Sequence, residues 1–374
     1  MTFTLNVDAV SWRDNLNRAI GDRRVAVGWP EGGDVIAVVK GNGYGFTPEV
    51  LAREAARAGA TSVAIGTIFE VARVLADFAG DVFVLEPFDP RDEGTRAAWS
   101  AVAASPDAGR VIRTIASLDG ASAVAHTDGR IVVEMLTSVR RFGLTVSEFP
   151  SLLRTLEGGP QIEGLAVHLP MTTPSDGDAV SEVVQAAALW HTALVDAGRD
   201  LDDSALRILV SHVEIPELRA LRAALPDISI HPRVGTALWL GAPESLRVTG
   251  TVLAVHDPTE RGVGYRQRRG PRGARLVVIS GGTSHGVALA APSSNVTLRQ
   301  RAIAASTGLL DAAGRTTSPF TVAGELRMFA EPPHMHVSLV WLPSDVPAPQ
   351  VGDEVEVRVR NTTATFDRVV GLDY

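Results

Sequence analysis

The sequence predicts a (β/α)8 barrel followed by a mostly β domain. Three observations carry this. Between about residues 10 and 240, short apolar runs alternate eight times with segments of helical period, the pattern of a closed strand–helix barrel. After Gly241 the alternation stops, and strand-type runs are separated by Gly/Pro turns. Residues 1–8 add one further strand-like run before the first helical segment.

The eight barrel strands are expected at 35–39, 62–66, 82–86, 111–115, 130–135, 163–168, 206–211 and 228–232. Runs such as Ser62-Val-Ala-Ile-Gly66, Val82-Phe-Val-Leu-Glu86 and Leu165-Ala-Val-His168 are nearly uniform in hydrophobicity, as strands buried on both faces must be. Pro48–Ala58 and Ile215–Ala224 are among the helical stretches between them. The fourth run has the weakest pattern, and a doubly wound sheet is the alternative architecture. In the second domain Val248–Val255, Leu276–Ser280, His336–Trp341 and Glu354–Val359 read as strands, and only 297–312 reads as helix. The expected division is therefore a barrel over 10–240 and a β-rich domain over 241–374, joined by the strand at 1–9.

A mean hydropathy of +0.12 and 45% hydrophobic residues indicate filled cores, not a disordered chain. The net charge of −8 argues against nucleic acid as a partner. Arg266-Gln-Arg-Arg-Gly-Pro-Arg272 is the one dense cationic cluster, and it reads as a solvated hairpin. With no cysteine, disulfides, thiolate metal sites and a cysteine nucleophile are excluded. The N-terminus lacks a cationic segment leading into an apolar core, and no apolar run is long enough to span a bilayer. A cytoplasmic enzyme without membrane contact is the expectation.

Val35-Ile-Ala-Val-Val-Lys40-Gly-Asn-Gly-Tyr44-Gly45 carries the chemistry. A lysine closing a buried strand is costly unless it is paired or used, and desolvation frees its lone pair for Schiff-base formation. On the expected register, Lys40 and Tyr44 follow strand one, Arg141 follows strand five, and His168 ends strand six. Ser211 and His212 end strand seven, while Arg233, Gly235 and Thr236 follow strand eight. All would meet at the C-terminal rim, where barrel enzymes build their sites and where the last two loops commonly hold phosphate. A lysine, a phosphate cradle and polar groups on one rim suit pyridoxal 5′-phosphate (PLP). No carboxylate/histidine set has convincing metal-ligand spacing.

These motifs resemble the PLP-dependent alanine racemase family. Ala37-Val-Val-Lys40-Gly-Asn-Gly-Tyr44-Gly45 is similar to its lysine strand and turn, Val133–Gly143 to its arginine segment, and Gly164–His168 to its histidine strand. Arg233–Gly241 is similar to its arginine–glycine stretch, and Met335–Leu342 stands for its methionine segment. The resemblance implies that Lys40 carries PLP as a Schiff base and acts as one base. It further implies that Tyr44, His168, Arg233, Gly235 and Thr236 hold the cofactor. Arg233 would face the pyridine nitrogen, and Arg141 and Met335 would contact an amino-acid substrate. A homodimer with shared active sites follows from the same likeness, since the family takes a second base, a tyrosine, from the partner's β domain.

The departures are specific. Within Ser280-Gly-Gly-Thr-Ser-His-Gly286, Thr283 stands at the tyrosine position, and a threonine hydroxyl is too weak an acid to replace a phenol. His285 is expected to replace it as second base. Glu134 stands where many members have a carbamylated lysine and keeps the negative charge. Asp367 stands where a tyrosine would touch the phosphate, and an aspartate there would repel a dianion. His336 replaces the aspartate after the methionine, and Tyr265 matches a tyrosine near the active-site entrance. The expected activity is interconversion of L- and D-amino acids, alanine first. The alternatives are a one-base PLP lyase or epimerase, and a PLP-binding regulatory protein without turnover.

Overall fold

The structure is a computed structural model in which residues 2–171, 178–199, 205–258, 261–289 and 316–373 are described. The helix expected at 297–312 lies outside them. The chain divides into two compact units. One comprises Arg13–Gly43 and Thr47–Gly241; the other comprises Met1–Trp12, Tyr44–Phe46 and Ala242–Tyr374.

The first strand, β1 (Phe3–Val7), belongs to the second unit. The first unit is a closed parallel barrel of β2 (Ile36–Val38), β3 (Ser62–Ile65), β4 (Asp81–Pro87) and β5 (Val111–Ile115), continuing through β6 (Arg130–Met135), β7 (Gln161–His168), β8 (Ile208–Ser211) and β9 (Ile230–Val234). Ile36 pairs with Arg233 and Ala37 with Val234, which closes the ring. All eight expected strands are present, the fourth included. The last one runs further than expected, so Arg233 lies inside it instead of after it.

Strands β2 to β8 each give at least one side chain to the interior: Ile36, Val38, Ala64, Phe83, Ile112, Val132, Ala166 and Leu209 form one packed cluster. This is why the strands read as apolar runs: the other face of each lies under helices. The helix starts follow from local chemistry. Asp92, Ser117 and Asp178 accept backbone N–H groups as N-caps of the helices Glu93–Ala103, Leu118–Val124 and Ala179–Asp196. Pro48 starts another with its missing N–H at a harmless position.

The β-rich unit contains β10 (Leu246–His256), β11 (Arg275–Ser280), β12 (Thr317–Val322), β13 (Glu325–Met328), β14 (Val337–Leu342), β15 (Glu354–Val357) and β16 (Arg368–Val370). Their order is β13-β12-β15-β10-β1-β16, with β11 joining β10 to β14. β1 pairs antiparallel with β10 and parallel with β16. Strand β10 changes partners along its length: residues 249–251 pair with β15, and 252–256 pair with β11 across a bulge. Strands β12, β13 and β16 are additions to the sequence reading. The arginine-rich segment is a solvated turn, crossed by a single Val263–Arg268 bridge.

Candidate active site

Lys40 stands two residues beyond β2, on a turn that its glycines make accessible. Gly41 and Gly43 have φ of +68° and +61°, and a Cβ on Gly43 would stand 2.6 Å from the Pro48 nitrogen. Glu70 fastens this turn to the end of β3: its Oε2 accepts the N–H of Gly41 (3.1 Å) and of Gly66 (2.9 Å). The sequence reading had no sign of Glu70, because nothing local distinguishes it from a surface glutamate.

The apolar strand suggested a buried lysine. Instead Lys40 is exposed to solvent at the rim. Partial desolvation still lowers its pKa, the Arg141 and Arg233 charges lower it further, and Glu70 opposes them. The result is an amine with more neutral form near pH 7 than an ordinary lysine has.

Arg233, on β9, is 8% exposed, and its Nε and Nη2 atoms are buried without a hydrogen-bond partner. Burial lowers its pKa, and the Glu134 charge opposes this. Glu134, at 2% exposure on β6, is pushed up by burial while Arg233 and Arg141 hold it down. Arg141 reaches toward it, with Nη2 3.9 Å from Oε1. The Arg141 guanidinium also lies over the Phe142 ring at 5.2 Å. Lys40, Arg141 and Arg233 thus outnumber Glu134 and Glu70 on this rim, which favours an anionic ligand.

His168 ends β7, where its carbonyl accepts the Thr137 hydroxyl at 2.6 Å. Its ring meets that of His212 edge-on, with centroids 5.1 Å apart. Burial, reinforced by Arg233 and Arg141, lowers the His168 pKa to about 3. His212 is lowered for the same leading reason and adopts φ of +60°, a left-handed conformation uncommon outside glycine. Both rings are neutral near pH 7. Gly235 and Thr236 follow β9, and Thr236 is exposed. The structure therefore brings Lys40, Glu134, Arg141, His168, His212 and Arg233 onto one rim.

Tyr44, Thr283, His285 and Met335 belong to the β-rich unit. Tyr44 is buried in a left-handed conformation (φ +53°), and burial pushes its phenol up to about 12, so it stays a neutral donor. Thr283, Ser284 and Met335 share an exposed tip: Thr283 N–H donates to the His334 carbonyl (2.8 Å), and Ser284 N–H and Oγ donate to the Met335 carbonyl.

His285 is buried in the β-rich unit. It is 6% exposed, its Nδ1 accepts the Gly282 N–H at 3.2 Å, and its Nε2 lies 3.3 Å from Asp367 Oδ1. Phe3 packs on its ring at 5.0 Å. With both nitrogens engaged, His285 ties the Gly282 turn to Asp367. Asp367 is explained by the same contacts. It binds His285, its Oδ2 accepts the Phe3 N–H, and its own N–H returns to the Phe3 carbonyl. Its carboxylate is thus committed to tying β1 to the C-terminal segment.

Among the described residues no group of three or more His, Asp or Glu side chains could hold a metal ion. Nor is any described helix long and apolar enough to cross a membrane.

A family described as alanine racemase, N-terminal domain, matches residues 15–239, which is more than half of the chain. The chain belongs to the alanine racemase family. Solved alanine racemases share its fold. The enzyme from D-cycloserine-producing Streptomyces lavendulae is 19% identical, with a TM-score of 0.62 over 96% of this chain and 88% of that one. That from Bacillus anthracis is 17% identical, with a TM-score of 0.64 over 95% and 85%. That from Corynebacterium glutamicum is 16% identical, with a TM-score of 0.61 over 98% of both chains. No curated protein matches the chain by sequence. At these identities the racemase likeness is one of architecture.

Proposed function

We propose that this protein is a PLP-dependent amino-acid racemase of the alanine racemase type. The observation that carries the reading is Arg233. Two buried guanidinium nitrogens without acceptors cost folding free energy, about 1–3 kcal/mol for each such group, unless a ligand supplies the acceptor. An aromatic ring nitrogen is such an acceptor, and the excess positive charge of the rim suits a phosphate on the same ligand. The residues present therefore fit PLP, and Lys40, Tyr44, His168, Arg233, Gly235 and Thr236 would hold it. When bound, PLP supplies an electron sink that acidifies the Cα–H bond of an amino acid.

The chain's own groups would do the rest. Lys40, with its pKa lowered by its surroundings, takes or returns the proton at Cα on one face. Arg141 binds the substrate carboxylate and is steadied by Glu134. Neutral His168 keeps a further positive charge away from Arg233. The β-rich unit, with Met335 at its exposed tip, would complete the site in a homodimer acting on small amino acids.

The test is direct. Reconstitution with PLP should give a visible absorbance band that is absent in Lys40→Ala, and chiral chromatography after incubation with L-alanine should show D-alanine. A band without any D-product would turn the assignment to a lyase or a regulatory PLP binder. Absence of the band in the unmodified protein would end it.

A further inference from the structure

Away from the rim that holds Lys40, the barrel unit carries a half-buried guanidinium without a counterion. Arg113 lies on β5 next to Ile112, which packs into the barrel interior, so the Arg113 side chain points outward. Its guanidinium carbon sits 4.2 Å from the centroid of the Trp99 ring and 4.7 Å from that of Phe88. Aromatic faces attract a cation but leave its N–H groups without acceptors. Nε is buried with no hydrogen-bond partner, and among the described residues no carboxylate pairs with the group. Burial alone lowers its pKa, to about 10, with no neighbouring acid opposing the shift. A side chain needed only to fill the space between Trp99 and Phe88 could be apolar, without the cost of desolvating a charge.

A cavity of about 220 Å3 opens beside Arg113. The helix Leu118–Val124 that follows β5 has seven residues and spans about 10 Å, whereas the five residues of the strand span about 16 Å. That helix therefore stops short of the strand's beginning. The cavity lies there, between the helix Glu93–Ala103 and the first residues of β5 and β6, at the opposite end of the strands from Lys40. Trp99, Val102, Val111 and Ile131 form its apolar walls. Arg130 also lines it but is committed to Asp81 and Glu163, and Asp128 lines it as an exposed carboxylate.

We propose that this cavity binds a small organic monocarboxylate, whose carboxylate takes the unpaired N–H groups of Arg113 and whose apolar body rests on Trp99, Val102, Val111 and Ile131. The planar guanidinium fork matches a carboxylate in charge and shape. The apolar walls favour an organic anion over an inorganic one, and the Asp128 charge disfavours a dianion such as phosphate. The volume is below the roughly 300–1,000 Å3 of pockets for drug-sized ligands, so the occupant is small. The site uses none of the residues proposed to hold PLP or substrate, and it stands whether or not the racemase reading does.

Benzoate is the probe and neutral benzamide its control, each titrated by calorimetry into the PLP-loaded protein. Benzoate should bind with a Kd of about 1 mM or tighter, and benzamide about 10-fold or more weaker. Arg113→Met should weaken benzoate by about 10-fold or more. Val102→Phe, which fills the cavity and leaves the guanidinium in place, should do the same and decides the matter if Arg113→Met fails to fold. Arg141→Gln should leave this binding unchanged, because Arg141 stands on the other rim. The NMR signal of the Arg113 Nε–H should move as benzoate is added. No binding of benzoate, equal binding of benzamide, or benzoate binding that survives Val102→Phe would overturn the proposal. So would binding lost in Arg141→Gln, which would place the carboxylate in the amino-acid site.

Discussion

His168 and His231 show how far the fold sets the protonation state of single residues. Burial is the leading reason that both resist protonation, His168 to about 3 and His231 to about 4, and His231 Nδ1 accepts the Asp34 N–H at 3.3 Å. In the unfolded chain each returns to an ordinary value near 6.5. Between that value and the folded ones, the unfolded chain binds more protons, so stability rises with pH across this window. The contribution of the two rings is complete above about 6.5 and is lost as pH falls toward about 4 and about 3. The melting temperature of the ligand-free protein should therefore drop steadily from pH 6.5 to 4, and His168→Gln should make that slope shallower. Thermal melts at stepped pH decide it, and an unchanged slope in the variant would show that His168 is not held neutral by the fold.

At the scale of elements, the N-terminal rim of the barrel is tied by charge. Glu163 on β7 is fully buried and receives Arg130 Nε at 2.7 Å and Arg207 Nη1 at 2.6 Å, while Arg130 also chelates Asp81 at the start of β4. Glu163→Gln removes the charge that both guanidinium groups face in a low-dielectric site. It should destabilise the protein by about 3–5 kcal/mol, measured by urea unfolding, because breaking a buried pair strands its partners. A loss under about 1 kcal/mol would mean that Asp81 and water replace it. The barrel could be read from sequence for a physical reason: strands buried on both faces must be continuous apolar runs, and Val82–Leu85 or Leu165–Val167 admit little else. Strands β12, β13 and β16 escaped because they break that rule. β12 contains Ser318-Pro319, β13 exposes both Glu325 and Leu326, and β16 is three residues long. The rim residues Lys40, His168 and Ser211 could be read because each closes or closely follows such a run. The Asp367–His285 pair could not, since 82 residues separate partners that only the β1 pairing brings together.

At the scale of the whole molecule, the proposed homodimer needs a face that a second copy can cover. Met335 is 66% exposed and Tyr265 is 86% exposed. Large apolar side chains left open in this way are suited to being covered by a second copy of the chain. Sedimentation of the unmodified protein should therefore give a dimer, and Met335→Glu should shift the population toward monomer, because a carboxylate buried in an interface without a partner is costly. A monomer at all concentrations in the unmodified protein, or a dimer that Met335→Glu leaves intact, would show that Met335 does not lie on the dimer face.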